Sequence, residues 1–378
     1  MTMLREICDS LHRWKRSRTG RPGDPPSGVL LISSGGLGDT ILFSLIAPRF
    51  AALAADGEAV DVIVQEGSAA LQFLYPAPLR LIGLDYRRFI RDPFYRYRMS
   101  DRLFARRYRL CVSTDHLRLP TVDDALVAAA AAEKSYALEP RSWAKHDAEL
   151  AANRRDYTDW VTPSAGMAHR MVRWHELVSA LSASPPPLPR VRFPDAVLPA
   201  PETRARPFVV FHPFTSEAAR QHAPETWAAL ADALAPDHDV VLSAGPGDLA
   251  RNPGYDDLAA RDDVSLDERG FEAKLGLIRA ARLVVAVDTS IMHLAAGAGA
   301  PTLCLASAAH VIDSIPYDPR IAPGNVEFLY HDMPCRGCLG ACVHPLEGGR
   351  FACVDGLAAA DAVAKARAML AEPESGGE

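Results

Sequence analysis

The sequence predicts an α/β protein of two Rossmann-like domains facing one another across a cleft, and three observations carry that prediction. From Gly28 onward short β-branched runs alternate with longer helix-like stretches, the pattern of parallel sheets with crossover helices. The alternation breaks between Ser182 and Pro207, where eight prolines stand, too many for helices or central strands. It then resumes, and in both halves glycines, hydroxyls and carboxylates follow the strands directly, where ligands bind in such sheets.

In chain order, residues 1–27 form a basic arm carrying Arg5, His12, Arg13, Lys15, Arg16, Arg18 and Arg21, with Leu4, Ile7, Leu11 and Trp14 at helical spacing. Such a segment can lie on an anionic membrane surface. Charge runs are more often solvated, so a frayed arm ended by Pro22, Pro25 and Pro26 is expected. The first domain, 28–181, opens with the strand Gly28 to Ser33, the glycine loop Gly35 to Gly38 and a helix started by Asp39. Strands follow at Val60 to Val64, Leu79 to Leu84 and Leu110 to Ser113, with Asp115 just beyond. Residues 182–207 read as a linker. The second domain, 208–378, has strands at Phe208 to His212, Asp239 to Ser243, Leu283 to Val287 and Thr302 to Ala306. Its helices lie at Pro224 to Leu234, near Phe271 to Ala280, and at Ser290 to Ala298.

At 378 residues, 48% of them hydrophobic, the chain is long enough for two separate cores. A formal net charge of −6 argues against general nucleic-acid binding, which needs a basic surface. No apolar run approaches the roughly 20 residues of a membrane-spanning helix, and the first residues lack the apolar stretch of a signal peptide. A cytoplasmic protein is expected, with peripheral contact to the inner membrane as the arm's second reading.

The loops after the strands hold the candidate chemistry. Gly36 and Gly38 let backbone approach a ligand at a helix start that favours anions. A dinucleotide fingerprint would need a third glycine where Ile41 stands, which weakens a nicotinamide reading with Glu66 as its ribose acid. Asp39 would serve as an N-cap or as a general base. Thr215, Ser216 and Arg220, before the helix opened by Pro224, suit a diphosphate cradle. Gly245 ends another strand where a base or ribose can approach. Asp288, Thr289 and Ser290 end a buried strand ahead of a helix bearing His293; each has an ordinary capping or core role, and together they suit a polyol.

Four segments in order, ISSGGLGDTIL, FHPFTSEAARQHAPETWAALADAL, VVLSAGPGD and ARLVVAVDTSIMHLAAGAGAPTLCL, resemble the family-9 glycosyltransferases. This is the ADP-heptose:lipopolysaccharide heptosyltransferase family of the GT-B fold, and the resemblance spans roughly Gly28 to Leu370. It implies Asp39 as catalytic base, with Arg220, Thr215 and Ser216 on the donor phosphates. It also implies a nucleoside contact at Glu225, and sugar and diphosphate binding at Asp288, Thr289, Ser290 and His293. The family's HPG is here His212-Pro213-Phe214, its lysine is Arg220, and its DTG glycine is Ser290. The implied reaction is inverting transfer to a hydroxyl of lipopolysaccharide, another surface glycan or a protein. Cationic and amide groups would replace a catalytic metal. Acceptor contacts are expected from first-domain loops, including Arg87, Arg88, Arg91, Arg96 and Arg98.

Cys335, Cys338, Cys342 and Cys353, at C-x2-C-x3-C-x10-C spacing, suggest a structural zinc or iron site in a cytoplasmic protein, against the alternative of free thiols. Two further readings compete with the transferase: a nucleotide-binding oxidoreductase, opposed by the missing glycine, and a non-catalytic scaffold of the same fold, opposed by Asp39, Arg220 and Asp288 together.

Overall fold

The structure, a computed structural model, describes residues 2–19, 26–164 and 167–371. It divides into two compact units, Met1–Leu188 and Pro189–Glu378.

The basic segment departs from the expected frayed arm. Helix α1 (Thr2–Thr19) buries Cys8 and His12, and its polar residues find partners far along the chain. Arg96 donates to both oxygens of Asp9 at 2.7 and 2.8 Å, Lys15 bonds Asp101 at 2.6 Å, and Arg16 donates to the Ala128 carbonyl. Burial pushes the His12 pKa down to about 4, so the helix docks with a neutral imidazole inside. Arg21, Pro22 and Pro25, and the side chains of Leu4 and Arg5, lie outside the described residues.

Unit 1 continues with β1 (Val29–Ile32), α2 (Leu37–Ala51), β2 (Val60–Gln65), β3 (Leu79–Leu84), α3 (Tyr86–Arg91), α4 (Pro93–Arg106) and β4 (Leu110–Ser113). It ends with α5 (Ala125–Ala130), β5 (Lys134–Leu138), α6 (Asp147–Asn153), β6 (Asp159–Val161) and α7 (Arg170–Leu181). Its six strands are all parallel, in the order β3-β2-β1-β4-β5-β6. β1 lies centrally because all four of its residues are fully buried, as expected of a strand covered on both faces. The order reverses between β1 and β4, which fixes the ligand edge of this sheet at the loops following those two strands. The Arg-rich run expected in loops is instead carried on α3 and α4, and Arg96 within it is buried. Side chains of α2 and α7 pack together, with Phe43 and Trp174 edge to face at 5.1 Å.

Unit 2 repeats the pattern with β7 (Phe208–His212), α8 (Pro224–Leu234), β8 (Asp239–Ser243), α9 (Asp248–Arg251), α10 (Asp256–Ala259), β9 (Val264–Asp267) and α11 (Phe271–Ala280). Then come β10 (Leu283–Val287), α12 (Ser290–Ala298), β11 (Thr302–Leu305), β12 (Val326–Leu329), α13 (Ala352–Asp355) and α14 (Ala359–Ala371). The order β12-β11-β10-β7-β8-β9 has the same reversal, between β7 and β10. Its core gathers Phe211, Trp227, Leu230, Leu242, Val285 and Leu303 with α14 residues Ala362 and Ala366. The proline-rich stretch is no free tether at its second end. Val191 and Phe193 are buried on unit 2, bonding Ile321 and Gly297 carbonyls. A Cβ on Gly297 would fall 2.5 Å from the Phe193 ring, so only glycine allows that approach. Among the described residues no helix is long and apolar enough to cross a membrane.

Unit 1 also holds a fully buried ion pair, Arg118 Nε to Asp124 Oδ1 at 3.0 Å, with the Tyr157 hydroxyl donating to the same carboxylate at 2.6 Å. Removing one member of such a pair strands the other charge. Asp124→Ala should therefore cost about 3–5 kcal/mol in urea unfolding, whereas Arg118→Met with Asp124→Leu should cost much less; equal losses would contradict this reading of the pair.

Candidate active site

At the ligand edge of unit 1 the chain leaves β1 through Ser33, Ser34, Gly35 and Gly36. Asp39 does not cap α2 as expected; it is the helix's third residue, and its Oδ2 reaches back to accept the Gly36 N–H at 2.9 Å. That return contact explains the glycine before it, since a Cβ on Gly35 would sit 2.5 Å from the Asp39 carboxylate. Gly36 itself faces open space, and Gly38 lies inside the first turn of α2. The other Asp39 oxygen pairs with Arg170, the first residue of α7.

Two further carboxylates flank this group. Asp115, just past β4, accepts from the Ser34 N–H at 2.7 Å and the Ser34 hydroxyl at 3.1 Å. Burial raises its pKa, Arg170 opposes the rise, and Asp39 adds to it. Asp123 is fully buried and accepts from the Leu119 N–H at 2.7 Å. Burial, reinforced by Asp115, pushes its pKa up to about 7. Arg170, Asp115 and Asp123 were not foreseen as site residues. Asp115 carried the one usable signal, its place just after a strand.

At the ligand edge of unit 2, His212 ends β7 and donates its Nδ1–H to the Ser243 carbonyl at 2.7 Å, neutral because burial pushes its pKa down to about 4. Phe214, standing where the family has glycine, turns into the core against Tyr255, with ring centres 5.2 Å apart. The substitution thus fills the core rather than the loop. Thr215 anchors the following loop through its carbonyl, which accepts from Gln221 at 3.1 Å; Ser216 is exposed. The loop closes on Arg220, whose Nη2 donates to the Asp288 carbonyl at 2.6 Å and pairs with its Oδ2 at 2.8 Å. Ser307, just past β11, donates its hydroxyl to the same carboxylate at 3.0 Å. Arg220 Nε and Thr289 Oγ1 are buried without a hydrogen-bond partner.

The structure therefore gathers Arg220, Asp288, Thr289 and Ser290 around the start of α12, and adds Ser307. His293 follows one turn along α12, its backbone N–H on the Thr289 carbonyl at 3.3 Å, and its buried ring bonds the Tyr317 hydroxyl through Nδ1 at 2.7 Å. Glu225 is exposed in the first turn of α8. Gly245 follows β8 beneath the Asp248 carboxylate, which would stand 2.9 Å from a Cβ placed there. Nearby Lys274, unforeseen from sequence, is buried among the Ser243 hydroxyl and the Ala244 and Asp267 carbonyls at 2.6 to 3.0 Å. Burial lowers its pKa to about 8.

The cysteine segment does not meet the expectation of a four-thiolate site. All four thiols are free, and Cys353 packs with Phe351, Val354, Ala308 and Val311 in a small apolar cluster that Cys342 borders. Burial raises the pKa values of Cys338 and Cys353, with a further rise from neighbouring thiols. The four are thus neighbours, yet among the described residues no three His, Cys, Asp or Glu side chains are placed to hold a metal ion.

Residues 127–323 match the model of glycosyltransferase family 9 (heptosyltransferase). No curated protein matches the chain. Among solved structures it is similar to E. coli heptosyltransferase WaaC with ADP-2-deoxy-2-fluoro heptose, at 20% identity over 90% of this chain and 98% of that one, with a TM-score of 0.63. It is similar also to the family 9 glycosyl transferase from Veillonella parvula DSM 2008, at 13% identity over 92% and 98%, TM-score 0.66. A third is the iron-containing dodecameric glycosyltransferase TibC from enterotoxigenic E. coli H10407, at 12% over 94% and 81%, TM-score 0.53. These likenesses show a shared fold, the GT-B class.

The carboxylates of unit 1 give a pH signature. Asp123 binds its proton more tightly folded than unfolded. From the ordinary carboxyl value of about 4 up to about 7 the native state holds a proton that the unfolded chain has released, so stability falls as pH rises through that window. Asp123→Asn keeps an acceptor for Leu119 and removes the charge. Urea midpoints should show it more stabilising at pH 8 than at pH 5; an equal effect at both pH values would contradict the shift.

Proposed function

This chain belongs to glycosyltransferase family 9, and we propose that it is an inverting transferase moving a heptose from ADP-heptose to a hydroxyl of lipopolysaccharide or another surface glycan, in the cytoplasm. The observation that carries the donor half is Arg220 clamped to Asp288 with its Nε still buried and unpaired, beside the equally unpaired Thr289 hydroxyl. Buried donors without partners are uncommon enough to need an explanation. A donor diphosphate satisfies both, with the first amides of α12 adding the positive end of a helix.

In the proposed reaction the acceptor oxygen attacks the anomeric carbon opposite the diphosphate, whose bond to that carbon breaks as ADP leaves. The acceptor proton goes to Asp39, whose orientation is fixed by the Gly36 amide and Arg170. Arg220, Thr215, Ser216, Thr289 and Ser290 meet the charge growing on the leaving group, while Glu225 and Gly245 stand on the nucleoside side. No step passes through the cysteine segment.

ADP-heptose should raise the melting temperature more than UDP-, GDP- or dTDP-sugars, and a response to NADH alone would overturn the transferase reading. Asp39→Asn should lower kcat by about 10²–10⁴-fold while keeping the donor-induced stabilisation. Full activity in that variant would remove Asp39 as the base. Label appearing on polypeptide rather than glycan would move the acceptor to a protein hydroxyl.

A further inference from the structure

Helix α1 has two faces with different fates. Cys8 and His12 are buried, with Asp9 and Lys15 paired to α4 residues. Ile7, Leu11 and Trp14, by contrast, are 45%, 54% and 56% exposed. At 3.6 residues per turn these three fall within an arc of about 60°, so they form one outward apolar stripe. Arg18 lies over the Trp14 ring at 4.8 Å and continues it. Cys8 Sγ touches the Pro93 carbonyl at 3.3 Å, and the next residue, Phe94, is 81% exposed at the same end of the helix pair. A docked helix that had only to cover α4 would gain nothing from a tryptophan, a leucine and an isoleucine in water.

The surroundings are cationic. Helices α1, α3 and α4 carry twelve Lys and Arg (five, three and four) against three Asp and Glu, in a chain whose formal charge is −6. We propose that the outer face of α1, with Phe94, is a docking surface for a bilayer of anionic phospholipid. The apolar stripe enters the headgroup and acyl boundary, and the exposed arginines of these helices, among them Arg13, Arg18, Arg87, Arg91 and Arg98, face lipid phosphates. An acidic protein or nucleic acid would satisfy the charge but not the aligned aromatic and aliphatic stripe. The inference rests on the transferase reading only in supposing a lipid-borne acceptor; the surface itself is argued from α1.

The test uses the full chain without donor or acceptor, so it can fail while the transferase reading stands. Sedimentation with sucrose-loaded vesicles should show partitioning about ten-fold stronger onto phosphatidylethanolamine with roughly 30% phosphatidylglycerol than onto pure phosphatidylcholine. Leu11→Ser with Trp14→Ser, both exposed and therefore expected to leave the melting temperature unchanged, should reduce that binding by about ten-fold. Arg13→Glu with Arg18→Glu should remove most of the preference for anionic lipid. Equal binding to both vesicles, no binding to either, or binding untouched by the Leu11/Trp14 pair would overturn the proposal. So would a concentration-dependent dimer, seen by velocity sedimentation and abolished by that pair, which would make the stripe a protein interface. Transfer to a soluble, delipidated acceptor, measured in parallel, tests the transferase reading separately.

Discussion

A carboxylate withdrawn from water must be given hydrogen bonds and a counter-charge where it stands, and Asp288 imposes that demand on the ligand edge of unit 2. Three strand ends answer it. Arg220 comes from the loop after β7, Ser307 from the end of β11, and Asp288 itself from the end of β10. The loop carrying Thr215 and Ser216 is thereby tied down at its far end. The guanidinium reaches the site already oriented by contacts it makes through Nη2 alone. Preorganised cations of this kind do not have to reorient as charge develops on a leaving group, which links a local requirement of burial to the proposed transfer.

Unit 1 solves a related problem with the same topology and other residues. Asp39, Asp115 and Asp123 crowd the loops after β1 and β4, and their mutual repulsion is met by Arg170, by Ser34 and by a raised Asp123 pKa. Gly35 leaves the room in which Asp39 folds back on its own helix start, to the Gly36 N–H. Glycine there reflects a side chain's need for room, and an anion need not be invoked to explain it.

Much of this was legible in the sequence because buried parallel strands are continuous apolar runs. β1, β7 and β10 are apolar from end to end but for His212, the last residue of β7, and they stand where expected. β5, β6, β9 and β12 escape a reading of apolar runs: β5 opens on Lys134 and Ser135, and the other three are short and largely exposed, with charged or polar residues among the apolar ones. The basic segment misled for a different reason. Its charges look solvated until Arg96 and Asp101 are placed beside it, more than 80 residues away. The same holds at the site: Asp39 and Arg220 were readable from motif and position, whereas Arg170 and Ser307 act through partners that only the folded chain supplies. His293 stands one helical turn beyond Thr289, as the motif spacing implies, while its Nδ1 contact with the Tyr317 hydroxyl joins residues 24 apart and is not legible in that spacing.

The central claim is that Arg220, oriented by Asp288, holds the donor's diphosphate. Calorimetric titration of ADP into the wild-type chain and into Arg220→Ala tests it most directly, with adenosine as the control ligand. The account predicts that the substitution weakens ADP by about 10- to 100-fold, the loss of a charge-assisted pair, and leaves adenosine unchanged. Equal weakening of both ligands, or none of either, would contradict it.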